Sequence, residues 1–260
     1  MIDQIFEPRV YWGILIGMAA LAVVVFVSLL FVTAGYGVMY NRRWGPAVGN
    51  RLGWILMEAP SFLAMGALWL LSARRAEAAP AVMAGLFLFH YFQRSFVFPL
   101  LIKGKSLMPL SIVAMGVTFN LINAYLLGGW IFYVSPSGAY ATDWLWSPAF
   151  VCGTVIFFAG MAINWHSDYI IRHLRKPGDR GHYIPRGGMF RFVTSANYLG
   201  EFVEWVGFAV LTWSWAGAVF ALWTFANLAP RARSLHRRYL SEFGDEYASL
   251  RRRYIIPFIY

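Results

Sequence analysis

The chain has 260 residues, 59% of them hydrophobic and only 13% charged, with a mean hydropathy of +0.55. A soluble domain of this length cannot keep so much apolar surface out of water, which excludes an ordinary water-soluble globular protein. A single cysteine, Cys152, leaves no internal disulfide framework and no cysteine-based zinc site. The net charge of +10 is assigned to loops facing anionic lipid or a phosphorylated ligand, not to nucleic-acid binding.

A helix crossing the hydrocarbon core needs roughly 20 mostly apolar residues. By that rule the sequence predicts an all-α fold, a multi-pass transmembrane helical bundle of seven helices. The spans fall over 10–35, 52–73, 80–102, 108–134, 144–171, 196–213 and 215–235. No cleavable signal peptide is expected before the first, since Asp3 and Glu7 stand where a basic region would be. Polar residues interrupt the sixth, and only Ser214 and its neighbours separate it from the seventh. Aromatics make up 18% of the chain, including 12 Trp, and supply anchors for bilayer interfaces.

Charge sets the orientation. Segments 36–51, 103–107 and 172–195 and the tail from Arg231 hold 3, 2, 6 and 7 Lys or Arg, which is 18 of the 22. Arg9, Arg74 and Arg75 fall on the other side, and Arg94 lies inside a span. The positive-inside rule then puts the amino terminus outside and the carboxyl terminus in the cytosol. From His236 to Tyr260 basic and apolar residues alternate, so this tail is expected along the cytosolic surface. With no repeat, low-complexity segment or linker, residues 1–260 are expected to form one integral membrane domain.

Ionisable groups inside a bilayer are expensive and need a partner or a purpose. Glu58 sits in the second span. Tyr91 and Arg94 share a face of the third, three residues apart. Asn164 and Asp168 end the fifth, and Asn197, Glu201 and Glu204 open the sixth at helical spacing. Purely structural roles exist for each: Glu58 with Arg94 as a buried ion pair, the 197/201/204 face as interhelical hydrogen bonding, and Arg172 to Arg191 as a solvated loop. His90 reads as a packed histidine. The remaining histidines (His166, His173, His182 and His236) show no zinc spacing, so no metal is expected. Together, however, polar groups in four spans lie toward one cytosolic half beside a basic loop. That suits an anionic ligand entering from the cytosol and an apolar one held in the membrane. Gly187-Gly188 is not a dinucleotide-binding glycine motif and no P-loop is present, so a dinucleotide would be held by side chains between helices.

The stretch Gly160-Met161-Ala162-Ile163-Asn164-Trp165-His166-Ser167-Asp168-Tyr169 resembles the steroid 5α-reductase family signature. So do Leu174-Arg175-Lys176-Pro177-Gly178, Ile184-Pro185-Arg186-Gly187-Gly188-Met189-Phe190, Ala196-Asn197-Tyr198-Leu199-Gly200-Glu201, Glu204-Trp205 and the closing Tyr254-Ile255-Ile256-Pro257-Phe258-Ile259-Tyr260. The likeness is nearly continuous from about 155 to 260. It reappears upstream in Glu58-Ala59-Pro60-Ser61-Phe62 and His90-Tyr91-Phe92-Gln93-Arg94-Ser95-Phe96. The terminal Pro-Phe-Ile-Tyr is weak on its own, because sterol reductases, enoyl-CoA reductases and related membrane methyltransferases end similarly.

That resemblance implies a monomeric, NADPH-dependent 3-oxo-5α-steroid 4-dehydrogenase of steroid and lipid metabolism, in a bacterial inner membrane or the endoplasmic reticulum. Its active site would open to the cytosol. The steroid pocket would come mainly from helices 1–4 and the NADPH-binding half from residues 155–260. Glu58 and Tyr91 would polarise the 3-keto oxygen while hydride reaches carbon 5, with Trp54 lining the pocket. Tyr36, Arg94, Asn164, Asp168, Arg175, Asn197, Glu201, Arg231 and Tyr239 match cofactor-binding positions. Lys105 stands where relatives show Arg, His182 where they often show Tyr, and Leu235 where they show His. Arg175, Lys103 or Lys105 would read the 2′-phosphate. Competing readings are a reductase of a sterol alkene, polyprenol or enoyl-CoA, a methyltransferase using S-adenosylmethionine, and a non-catalytic sterol-binding protein.

Overall fold

The structure is a computed structural model that describes residues 5–176, 179 and 181–260. Pro177 and Gly178 of the Leu174–Gly178 motif lie outside the described residues. Among the described residues seven long helices follow one another: α1 (Pro8–Phe31), α2 (Asn50–Leu71), α3 (Ala78–Leu101), α4 (Leu110–Val134), α5 (Pro148–His173), α6 (Ala196–Thr212) and α7 (Trp215–Ala248). The first five are long and apolar enough to cross a membrane. On α1 the side chains of Ile16, Val23, Val24 and Phe31 are exposed, a surface that lipid covers at no cost and water does not. This is an integral membrane protein and an all-α bundle.

α3 and α4 lie close to their expected bounds but carry local irregularities, and the last helix runs past its expected end. α3 runs through a π turn at Gln93–Val97 before Pro99, and α4 ends in another at Trp130–Val134. A π turn adds a residue to the helical repeat and re-aims the side chains it carries. α7 does not stop at 235, where the apolar run ends, but continues through the basic segment to Ala248. It is broken only at Gly244, whose φ of 53° belongs to the left-handed region that glycine alone enters freely.

The chain divides into two compact units. The first takes the chain up to Met18 with Ala34–Val151 and Leu211–Ala216; the second takes Ala19–Thr33, Cys152–Val210 and Gly217–Tyr260. In the first, two short antiparallel strands, β1 (Ala47–Gly49) and β2 (Leu107–Pro109), pair Val48 with Met108. They pin the connection after α3 to the start of α2, where Arg51 donates twice to the Ile102 carbonyl.

In the second unit α5 and α6 touch backbone to backbone. A Cβ at Gly160 would land on the main chain of Glu204, and one at Gly200 on that of Asn164. Glycine at both contacts is what lets polar residues of the two helices reach one another. The closing segment docks at the head of α6. Thr194 N–H donates to the Arg253 carbonyl at 2.8 Å, Arg253 N–H to that of Phe192 at 2.9 Å, and Ser195 N–H to that of Tyr254 at 3.2 Å. Ile255 is buried there among Phe190, Val193, Ala196 and Leu199.

Candidate active site

Glu58 stands on α2 two residues before Pro60, and Tyr91 stands on α3. Asn120 of α4 reaches both. Its Nδ2 donates to the Met57 carbonyl at 2.7 Å and to Glu58 Oε2 at 3.2 Å. Its Oδ1 accepts from the Tyr91 hydroxyl at 3.2 Å and from Ser61 Oγ at 2.9 Å. Asn120, Tyr91 and Ser61 are buried and Glu58 is half-buried. An amide has two N–H donors and two acceptor lone pairs, so these four bonds use its whole capacity. A carbonyl such as that of Met57 can only accept, which decides the end of the amide that is nitrogen.

Further along α3, the buried Arg94 guanidinium lies 4.5 Å from the Trp54 ring centroid and 4.4 Å from that of Phe98. Trp54 is edge-on to Phe98 at 5.3 Å and to Tyr36 at 6.3 Å. A delocalised cation against aromatic faces is less costly to bury than an ammonium. Tyr36 and Trp54 pack against the buried cluster of Met108, Ile112 and Val113. Lys105 is exposed on the connection those strands hold.

In the second unit the packed helices carry a hydrogen-bonded chain. Asn164 Nδ2 donates to the Asn197 carbonyl at 2.9 Å, and Asn197 Nδ2 donates to Asp168 Oδ1 at 3.3 Å. Asn164, Asp168 and Glu204 are buried, and Glu201 is half-buried. Arg231 is buried on α7, with its Nε donating to the Tyr198 hydroxyl at 2.9 Å.

A second cluster lies on the basic segment and the end of α7. His182 Nδ1 is 2.6 Å from Glu242 Oε2, and its ring stacks on Tyr239 at 5.5 Å; Tyr239 stacks in turn on Tyr247 at 5.2 Å. The His182 hydrogen bond holds the Glu242 carboxyl below its ordinary value. Burial, with Tyr247 and Tyr198 nearby, pushes the Tyr239 hydroxyl up to about 12. Thr194 Oγ1 lies 2.7 Å from His236 Nδ1 and 2.6 Å from the Tyr247 hydroxyl. Burial, reinforced by the Arg252 charge, holds the His236 imidazole below its ordinary value. Arg175 is exposed. It adds a small pull on Asp179, whose carboxyl is lowered first by the Gly181 N–H and then by the Tyr183 hydroxyl.

The residues singled out from sequence thus fall into separate groups. Tyr36, Trp54, Glu58, Tyr91, Arg94 and Lys105 belong to the first unit; Asn164, Asp168, Arg175, His182, Asn197, Glu201, Arg231 and Tyr239 belong to the second. Direct hydrogen bonds or ring contacts join Asn197 to Asn164 and to Asp168, Trp54 to Arg94 and Tyr36, and His182 to Tyr239. Sequence reasoning missed Asn120, the common partner of Glu58 and Tyr91, although a polar residue within the 108–134 span was the available signal. It also missed Glu242, the partner of His182.

Residues 106–260 match the family described as 3-oxo-5-alpha-steroid 4-dehydrogenase. Among similar proteins, 3-oxo-5-alpha-steroid 4-dehydrogenase 1 of Mus musculus is 42% identical over 247 residues, covering 92% of this chain and 92% of its own. The protein of that name from Homo sapiens is 43% identical over 228 residues, covering 85% of this chain and 86% of its own. A steroid 5-alpha-reductase of Arabidopsis thaliana is 38% identical over 240 residues, 90% of each chain.

Proposed function

The chain belongs to the 3-oxo-5-alpha-steroid 4-dehydrogenase family, and we propose that it is a membrane NADPH-dependent steroid 5α-reductase acting on 3-oxo-4-ene steroids of the testosterone and progesterone type. One observation carries the reading. A phenol and a carboxyl, Tyr91 and Glu58, meet at a single buried amide among apolar helices, where polar groups persist only with partners or a purpose.

Reduction of a 4-ene-3-ketone adds hydride at carbon 5 and a proton at carbon 4. As hydride arrives, negative charge gathers on the 3-keto oxygen. The Tyr91 hydroxyl donates to that oxygen and lowers the barrier, the same physics as an oxyanion hole. Glu58 acts beside it as a second polar group at the ketone. Because Oε2 accepts from Asn120, a proton carried by Glu58 is favoured on Oε1. The surrounding apolar side chains exclude water, which strengthens both contacts.

The donor set of the second unit suits a dinucleotide. Asp168 and Glu201 accept from ribose hydroxyls or a carboxamide, while Asn164 and Asn197 can do either. Tyr239 and His182 offer flat faces to a base, and Arg175 and Arg231 offer charge to phosphates. When bound, NADPH supplies the hydride; the protein supplies orientation and a dry surround. In this reading the amino terminus lies outside and the tail after Arg231 faces the cytosol, an orientation that the distribution of basic residues supports.

Purified protein incubated with NADPH and progesterone or testosterone should yield the dihydro product by mass, with one NADPH oxidised per steroid reduced. Folded protein that returns the steroid unchanged would overturn the reading.

A further inference from the structure

Asn120 is buried on α4 with all four hydrogen-bonding positions of its amide engaged, and every partner lies on α2 or α3. We propose that Asn120 is the positioning residue for the ketone-polarising pair. It sets the Tyr91 hydroxyl and the Glu58 carboxyl at the two ends of one rigid planar group, and it accepts the Tyr91 proton until a ketone takes its place. This rests on the assignment of Glu58 and Tyr91 to the substrate carbonyl made above.

Three physical points support it. First, the amide cannot turn over, because its oxygen would then face the Met57 carbonyl with no proton between them. Second, Tyr91 is 3% exposed, and a hydroxyl so buried is costly without an acceptor. The Oδ1 of Asn120 accepts from it, so a steroid ketone taking that place exchanges one neutral carbonyl for another and Tyr91 moves little. As the ketone oxygen gains charge it outcompetes the amide for the phenolic proton. The contact therefore strengthens in the transition state more than in the ground state, and only such a contact accelerates the chemistry. Third, donation from Nδ2 to Glu58 Oε2 fixes the carboxyl rotamer and with it the place of any proton.

The test compares Asn120→Leu, Asn120→Asp and, as a control, Asn123→Leu. Asn123 is buried on the same helix, and its Nδ2 meets no acceptor among the described residues. Progesterone turnover at saturating NADPH, progesterone affinity by tryptophan fluorescence and melting temperature in detergent are read for each. Asn120→Leu should lower kcat about tenfold to a hundredfold, as misplaced catalytic groups do, while KM moves much less. Asn123→Leu should keep its kcat. In Asn120→Asp the introduced carboxyl repels Glu58 when ionised and offers a hydroxyl donor when protonated. Its deficit should therefore shrink as pH falls, giving a steeper pH profile than the wild type. A merely structural role would change melting temperature without changing that profile.

Full kcat in folded Asn120→Leu overturns the proposal. Should that variant fail to fold, a pH-independent ratio of Asn120→Asp to wild-type turnover overturns it instead. Wild-type protein that neither binds nor reduces progesterone would bring down the assigned reaction and this inference with it. A working wild type with unaffected Asn120 variants brings down the inference alone.

Discussion

Asn164 and Asn197 are tied by a hydrogen bond of 2.9 Å from a side-chain amide to a main-chain carbonyl, so α5 grips the first turn of α6 beside its row of polar residues. The same Asn197 passes the chain on to Asp168. Breaking it should therefore disturb the groups proposed to hold the cofactor, while Glu58 and Tyr91 make no hydrogen bond to it. Asn197→Ala is expected to weaken NADPH binding about tenfold or more, the usual scale for losing a buried hydrogen bond. Steroid affinity should stay near wild type. Calorimetric titration of both ligands checks this, and equal losses for the two would count against it.

Tyr91→Phe removes one oxygen atom and keeps the ring packed against Phe87 at 4.5 Å. The protein should insert and melt normally while turnover of a 4-ene-3-keto steroid falls about a hundredfold, as is typical when one donor to a developing oxyanion is lost. Steady-state NADPH oxidation alongside a detergent melting curve measures both. Normal turnover in a well-folded variant would take Tyr91 out of the mechanism.

The contact of α5 with α6 has no room for a methyl group. Gly200→Ala should cost about 1–3 kcal/mol, the range for overpacking a close contact, and should lower the melting temperature. Gly66→Ala is the matched control. Nothing lies within 4 Å of a Cβ there, and it sits inside α2, where alanine is the better helix former. It should leave the melting temperature unchanged or raise it.

His236 gives the molecule an acid limit. Its imidazole is held below the ordinary histidine value in the folded state, so the unfolded chain binds a proton more readily. The stability tied to neutral His236 is full above the ordinary value and is lost as pH falls through it toward the folded value. Melting temperature should therefore drop on mild acidification, and His236→Gln should flatten that dependence. An unchanged pH profile in the variant would show that another group sets it.

For the orientation read from charge, cysteines placed at Ser137 and Glu246 should label from opposite sides of sealed vesicles. Labelling of both from one side would remove the seven-span topology.

Much of the fold was legible because an apolar run of helical length has few alternatives in a membrane. The π turns were not legible, since nothing in hydrophobic periodicity announces one added residue. The course of α7 past 235 was missed for a different reason. Hydropathy reports where lipid ends, not where a helix ends, and the Arg, Leu and Glu of that segment are good helix formers. In the candidate site, Glu58 and Arg94 stood out as charges in apolar surroundings. Asn120 is neutral and was passed over, although its hydrogen bonds are the ones that join Glu58 to Tyr91. The stacking of Arg94 on Trp54 could not be read, because the two lie on different helices and only folding brings them together.

The docking of Arg253 and Tyr254 against Thr194 and Ser195 bears on how the protein is made. Thr194 and Arg253 lie 59 positions apart, so a ribosome delivers α5 and α6 to the membrane well before the strand that finishes the head of α6. Until then the amides of Thr194 and Ser195 lack their acceptors, and Phe190 and Val193 lack the Ile255 that covers them. Without residues 253–255, Phe190 and Val193 would lose the apolar cover that Ile255 provides. The packing of residues 190–195 and the hydrogen bonds at the head of α6 are thus completed by a segment about sixty positions away, so a change at Ile255 should be felt at α6.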